Sequence, residues 1–348
     1  MVSLKGKRIA LIGGAGFIGH HLALAFKKLG AEVAIIDNLQ VNNFLAFAGI
    51  NSNNKSSDLS LRIISQRLQL LREAGLDLYM QDARNYHALG EIISNKFKAN
   101  IIVHLAAVAH AGRSNKDPYS TFDHSFRTLE NALDCARDRV EQFVYFSSSM
   151  VYGNFHSGFV TEESACEPIG IYGALKFGGE KLVIAYNQVF DLPYTIVRPS
   201  ALYGERCVSR RVGQIFIENA IQGLDITVSG DGSDRLDFTY ISDLVNGMIE
   251  IVSNDNSKNQ IFNITYGQGR SISEMVDILK EHFPNVNTEY LPRDMLMPNR
   301  GTLSVEKAKK LIGYDPQYPL EKGFIRYINW YKELFKEFPG TGKINLIF

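Results

Sequence analysis

The chain opens on a repeating pattern: a short apolar run, a turn, then a longer stretch in which apolar positions recur with helical period. The run at 8–12 reads as a buried strand, and Gly13-Gly14-Ala15-Gly16-Phe17-Ile18-Gly19 interrupts it. A helical pattern follows over 17–29 with Gly30 as its stop, and the next strand, 32–36, ends at Asp37. Residues 38–60, rich in Asn and Ser, show no periodicity and predict a surface excursion. Helical periodicity resumes over 61–74, and further strands fall at 76–80, 100–105, 142–146 and 194–198. Longer helical patterns occupy 118–137 and 172–189. Such alternation predicts an α/β fold: a Rossmann-type, doubly wound parallel sheet with helices on both faces and ligands at the carboxyl ends of its strands.

After Pro199 the alternation loosens. Helical patterns at 214–222, 242–252, 273–283, 304–312 and 320–336 are mixed with extended segments at 226–229 and 261–264 and a turn at Gly230-Asp231-Gly232-Ser233. This predicts a smaller, irregular α/β substrate-capping domain. The expected division is 1–198 mainly for cofactor and catalysis and 199–348 mainly for substrate, the two interleaved. There is no internal repeat, and no Gly-, Pro- or Ser-rich linker separates independent units.

Composition narrows the function classes. At 348 residues with 45% hydrophobic and 21% charged positions, the chain suits a soluble globular protein with a sizeable core. Thirty-seven basic residues balance thirty-seven acidic ones, so no global field draws it to nucleic acid or to an acidic membrane. Any anionic ligand has to be met locally. Cys135, Cys166 and Cys207 are far apart, which argues against a metal site or a disulfide framework and fits a reducing compartment. The N-terminal residues lack the apolar core of a signal peptide and no run reaches spanning length, so a cytoplasmic location is expected.

Two groups of residues carry chemistry. The glycine turn opens the first strand-helix-strand unit, and Asp37 lies eighteen residues beyond Gly19. In that context the pattern points to dinucleotide binding: the glycines admit a pyrophosphate at the positive end of the helix, and the acid meets the ribose hydroxyls. A carboxylate at Asp37 repels a 2′-phosphate, so NAD is expected over NADP. The second group is Tyr172 and Lys176, one turn apart on a helix face, together with Ser147-Ser148-Ser149 at the end of an apolar strand. An ammonium beside a phenol favours the phenolate, and such a Tyr can take a proton from a sugar hydroxyl while a Ser shares it.

In order and spacing these motifs resemble the extended short-chain dehydrogenase/reductase family, in its nucleotide-sugar epimerase and dehydratase branch. The resemblance spans nearly the whole chain. Beyond the glycine turn and Asp37 it rests on Asp82, His104-Leu105-Ala106-Ala107, Ser147-Ser148-Ser149-Met150-Val151-Tyr152-Gly153, Tyr172/Lys176, Arg198-Pro199, Asp237-Phe238, Asp243 and Lys307-Ala308. It implies that NAD lies along Gly13, Gly16, Phe17, Ile18, Gly19, Asp37, Asn38, Asp82, Ala83, Leu105, Ala106 and Ala107, with Tyr172 and Lys176 at its reactive end. It implies Ser148, Tyr172 and Lys176 as catalytic residues, with Lys176 binding the nicotinamide ribose and lowering the Tyr172 pKa.

Where the family's dehydratases carry Asp-Glu and its decarboxylases a Glu, this chain has Ser149 and Met150, neither able to transfer a proton at neutral pH. Elimination is thereby disfavoured, and oxidation, rotation of a keto intermediate and re-reduction remain. The expectation is an NAD-dependent epimerase acting at carbon 4 of a nucleoside-diphosphate hexose or uronate, with a UDP-sugar as the expected substrate. The alternatives are a nucleotide-sugar reductase or dehydrogenase with net redox turnover, and a catalytically silent sensor, against which the intact Ser148, Tyr172 and Lys176 argue. The family's phosphate-binding Arg directly before Asp-Phe is Leu236 here, with Arg235 one place earlier; Arg235, Arg293 and Arg300 are the candidates for the diphosphate. The family's frequent Asn is His124, read as a structural histidine. The connection carrying Arg67, Leu70 and Leu71 is similar to that of the glucuronate 4-epimerases, and Arg113-Ser114 lies where a sugar carboxylate would be met; the resemblance also implies Ser148, Ser149 and Tyr172 as substrate-binding residues. The two long helical patterns imply a homodimer.

Overall fold

The computed structural model of the chain describes residues 2–48, 55–109, 111–293 and 297–337. Its central sheet has seven strands: β1 (Arg8–Ile12), β2 (Glu32–Asp37), β3 (Asp77–Met80), β4 (Ile101–His104), β5 (Gln142–Phe146), β6 (Tyr194–Arg198) and β7 (Gln260–Asn263). Their order is β7-β6-β5-β4-β1-β2-β3, and every neighbouring pair is parallel. The winding reverses beside β1, which pairs with both β2 and β4. A reversal of this kind opens a crevice at the carboxyl ends of the strands.

Alternation in the strands explains why both faces are covered. Ile9 and Leu11 of β1 and Val33 and Ile35 of β2 belong to one apolar core, while Ala10, Ile12, Ala34 and Ile36 belong to the other. The longer helices are α1 (Phe17–Lys28), α2 (Lys55–Glu73), α3 (Thr128–Ala136), α4 (Gly170–Phe190), α5 (Val212–Ile221), α6 (Ile241–Ser253), α7 (Ile272–His282) and α8 (Leu320–Glu337). Leu22 and Phe26 of α1 fill the first core, and Leu129 and Leu133 of α3 the second.

The doubly wound sheet is the one the alternation predicts, with three differences in detail. The extended segment expected at 261–264 is part of the central sheet: it supplies β7, and α6 just before it packs against α1. The chain thus returns to the first layer after leaving it, since Phe262 is fully buried in the first core. Secondly, α2 begins at Lys55, inside the excursion expected over 38–60. Leu59, Ile63, Arg67 and Leu71 recur every fourth residue and are all buried, a stripe whose start the Asn- and Ser-rich surroundings conceal. Residues 49–54 of that excursion lie outside the described residues. Thirdly, the pattern over 118–137 forms a helix at Pro118–Phe122, a π-helical turn at Asp123–Arg127, and then α3.

The remaining region is smaller and irregular. It holds three two-stranded pairs: Ile226–Ser229 with Thr288–Leu291, Arg235–Asp237 with Gly269–Ser271, and Phe159–Val160 with Thr302–Leu303. Buried acids join these pieces. Asp237 accepts from the Gly267 and Leu303 N–H groups and the Thr265 hydroxyl, and Asp243 from the Gln317 and Tyr318 N–H groups. Among the described residues no helix is long and apolar enough to cross a membrane, and no group of His, Cys, Asp and Glu is placed to hold a metal ion.

Candidate active site

The crevice beside β1 forms a cleft that opens to solvent. Its lining includes all twelve residues expected along the cofactor from Gly13 to Ala107: Gly13, Gly16, Phe17, Ile18, Gly19, Asp37, Asn38, Asp82, Ala83, Leu105, Ala106 and Ala107. The glycine turn is shaped by close approach. Gly13 has φ +81°, and a Cβ there would stand 2.7 Å from the Ala106 nitrogen. A Cβ on Gly19 would stand 2.5 Å from the Gly14 Cα, so α1 can meet the turn only without one.

Asp37 accepts from the Ala15 N–H at 3.0 Å and the Leu39 N–H at 2.8 Å, which ties the end of β2 to the glycine turn. Burial raises its pKa and those two N–H groups pull it back. Asp82 accepts from Arg84 and from Asn38, and the Arg84 bonds hold its carboxyl at about 2. His124 stands in the π-helical turn on the cleft wall, with Nδ1 on the Ser120 carbonyl at 2.9 Å.

Arg67 also lines the cleft. Its Nε and Nη2 donate to the Arg206 carbonyl, and its Nη1 is buried with no hydrogen-bond partner among the described residues. Burial pushes its pKa down to about 10. A buried guanidinium with a free donor, beside a glycine turn at a helix N-terminus, is chemically complementary to a diphosphate. The cleft therefore fits the dinucleotide that the motif predicts.

Ser148, Tyr172 and Lys176 converge beyond the cofactor turn. Gly173 lets α4 lie against the turn after β5, since a Cβ there would stand 2.8 Å from the Met150 carbonyl oxygen. Ser148 Oγ accepts from the Met150 N–H at 3.2 Å. Burial raises the Tyr172 pKa; the Arg211 charge and a hydrogen bond from Ser148 work against that rise. The Lys176 Nζ donates to the Phe146 carbonyl at 2.6 Å and lies 5.0 Å over the Tyr145 ring, and burial lowers its pKa to about 7. The four-residue spacing sets Tyr172 and Lys176 on one face, and Arg211 is a further cation whose charge acts on the phenol. Arg211 went unnoticed in the sequence. Its signal is the doublet Arg210-Arg211 immediately ahead of α5, where the helix dipole disfavours cations.

The candidate substrate residues separate. Arg300 is placed with Arg211 and Arg293. Burial is the first cause of its lowering to about 10, Arg211 and Arg293 add to it, and Asp234 opposes. Its Nε is buried and has no hydrogen-bond partner among the described residues. Arg293 is held by Asp234 at 3.0 Å. Arg235 is exposed on its strand and donates to the Gly269 carbonyl. Because that segment is a strand, the one-place shift from Leu236 turns Arg235 to the other face. Arg113, on the short helix Ala111–Lys116, is exposed and donates to Asn42 of the cleft wall at 2.7 Å. Ser149 is buried, with its N–H on the Pro199 carbonyl at 2.9 Å.

Comparison with known proteins agrees with this geometry. Residues 9–265 match the model of the NAD dependent epimerase/dehydratase family. A UDP-glucuronate 4-epimerase of Thermodesulfobacterium geofontis is 28% identical over 337 residues, covering 92% of this chain and 95% of that protein. A putative UDP-glucose 4-epimerase of Methanocaldococcus jannaschii is 29% identical over 331 residues, covering 93% and 98%. In fold, the chain is similar to the Bacillus cereus UDP-glucuronic acid 4-epimerase solved with UDP-glucuronic acid and NAD. The TM-score is 0.83 at 24% identity, over 94% of this chain and 99% of that one. The chain belongs to the NAD-dependent epimerase/dehydratase family, with NAD as its cofactor.

Proposed function

We propose that the chain inverts carbon 4 of a UDP-sugar, a hexose or a uronate, through a transient 4-keto sugar. The observation that carries this reading is the 147–149 turn and its surroundings. Ser148 stands beside the Tyr172 phenol and works against the rise in its pKa, while Ser149 and Met150 leave no second proton carrier beside it. NAD, when bound along the glycine turn, would supply the acceptor and donor for the carbon 4 hydride. Tyr172 takes the hydroxyl proton as the carbonyl forms and gives it back on re-reduction, and Ser148 shares that proton through its hydrogen bond. Arg211 favours the phenolate form while the proton is on loan. Arg300 and Arg293, with Arg211 beside them, hold the diphosphate and leave the sugar free to turn between the two hydride transfers. Residues 1–198 mainly serve NAD and catalysis, and 199–348 mainly the nucleotide sugar.

The same reading makes the enzyme a cytoplasmic homodimer paired through the helices at 118–136 and α4, which expose Tyr119, Phe122 and Val189. Sedimentation at micromolar concentration tests the pairing, with a dimer expected. For the reaction, the purified protein is incubated with a panel of nucleotide sugars and followed by proton NMR. A new anomeric signal from a UDP-hexose or UDP-uronate, without accumulation of NADH, is expected. Net NADH formation would contradict the epimerase reading.

A further inference from the structure

We propose that Glu180 is a positioning residue of this site. With Arg198 it fixes the 147–149 turn against the helix of Tyr172 and Lys176, and it sets a carboxylate one turn from Lys176. The proposal rests on Tyr172 being the base.

Glu180 continues the register of Tyr172 and Lys176 down α4 at a further four residues, so the three share a face. Its side chain is 2% exposed, and both carboxylate oxygens are committed. Oε1 accepts from the Ser147 hydroxyl and from Arg198 Nε at 2.9 Å, and Oε2 from Arg198 Nη2 at 2.7 Å. Arg198 extends the chain of contacts, donating from Nη1 to the Tyr152 hydroxyl at 2.9 Å, and Tyr152 donates to Asn263 at 2.8 Å. One acid thus joins α4 to the end of β5 and, through Arg198 and Tyr152, to β6, the turn after Ser148 and β7. Gly179 allows this closeness: a Cβ there would stand 2.3 Å from the Tyr145 hydroxyl.

A buried ion pair of this kind is weak evidence for stability, because desolvation offsets its attraction. Its geometry explains more. Ser147 immediately precedes Ser148, so the Ser147–Glu180 bond fixes where the Ser148 hydroxyl stands relative to Tyr172. Glu180 is also the charge that works against the burial of the Lys176 ammonium. The other groups facing Lys176 are the Tyr145 ring and the Phe146 carbonyl from β5, Tyr172 on its own helix, and His104 from β4. His104 is held neutral, its pKa brought to about 3 by burial and then by Lys176. Arg198 stands behind Glu180 as its ion-pair partner.

The test needs no substrate at its first step. In the NAD-loaded full chain, melting temperature is followed against pH for the wild type and Lys176→Met, and again in the Glu180→Gln background. The difference within each pair isolates the titration of Lys176. Glu180→Gln is expected to move that titration down by about one pH unit or more, since it removes an anion and leaves Arg198 unbalanced. An unmoved titration overturns the charge role even if no sugar is ever turned over, which keeps this outcome distinct from failure of the epimerase reading. Turnover then tests the positioning. Ser147→Ala keeps the Glu180–Arg198 pair, and it is expected to lower kcat about 10-fold with KM little changed and the Lys176 titration in place. A wild-type kcat in Ser147→Ala overturns the positioning role. If Glu180→Gln does not fold, Glu180→Asp takes its place, retaining the anion but withdrawing it from Ser147. It is expected to leave the Lys176 titration close to wild type and to lower kcat as Ser147→Ala does; a wild-type kcat there counts against the proposal.

Discussion

The cofactor side of the cleft and its sugar side are held by different kinds of constraint. Around NAD the geometry is set by backbone: glycines that cannot carry a Cβ, a strand end tied to the turn through Asp37, and a helix N-terminus. On the side we assign to the sugar it is set by long side chains that two separated stretches bring together, namely Arg211 ahead of α5 on one and Arg293 and Arg300 on the other. A backbone constraint is local and leaves residue types at fixed spacing. A side-chain cluster is assembled by the tertiary fold, and its members can be exchanged without leaving a pattern. The missing Arg at Leu236 and the unpartnered donor of Arg300 illustrate the second case.

If that contrast is correct, damage on one side should leave the ligand of the other side bound. The largest effect belongs to the junction between them. Tyr172→Phe keeps the ring and removes the transferable proton, so turnover should fall at least ~100-fold with NAD and sugar nucleotide still bound. Paired turnover and binding measurements check it. Next is the sugar side: Arg300→Leu should raise the KM for the nucleotide sugar ~10- to 100-fold, the scale of a lost bond to a charged group, with NAD retention unchanged. Arg235→Ala should change KM less than about 2-fold, because that side chain is exposed and turned to a backbone carbonyl. Equal losses in the two variants would erase the distinction drawn among the arginines.

On the cofactor side, Gly13→Ala should weaken NAD retention about 10-fold, since its φ of +81° and the 2.7 Å approach to Ala106 both oppose a side chain. Titrating NAD into stripped protein reads this directly. The remaining effect is electrostatic and is read in stability, not in binding or turnover. Folding takes Lys176 from 10.5 to about 7, so between those values the unfolded chain holds a proton that the native chain has released. By linkage this group makes stability rise with pH across that window, and Lys176→Met should remove its share of the slope. Melting curves at several pH values give the answer, and an unchanged slope would mean that Lys176 keeps its ordinary pKa in the fold.

The same contrast accounts for what the sequence makes legible. The sheet from β1 to β6 follows from apolar runs and turn residues, and the glycines and Asp37 follow from a turn whose sterics admit few alternatives, whereas Asn38, Asp82, Ala83 and Leu105-Ala106-Ala107 are implied by the family resemblance. β7 is harder to assign because Gln260–Asn263 is a short edge strand reached after a long detour, and local pattern carries no information on which sheet it joins. The start of α2 is hidden because Asn and Ser around Lys55 mask a buried stripe. The Lys176 bond to the Phe146 carbonyl is not legible, since spacing gives the face of a side chain but not the group that meets its end. Glu180 is visible in hindsight as an acid four residues past Lys176, yet its commitment to Ser147 and Arg198 depends on two strands that sequence spacing does not bring together.

The central claim, inversion at carbon 4 by removal and return of one hydride, is tested most directly by isotope. A UDP-hexose or UDP-uronate that the enzyme converts is supplied with deuterium at carbon 4, and the product is examined by mass spectrometry and NMR. The account predicts an inverted product that keeps the deuterium at carbon 4, with no NADH released. Loss of the label to solvent, or its appearance in free NADH, would contradict it.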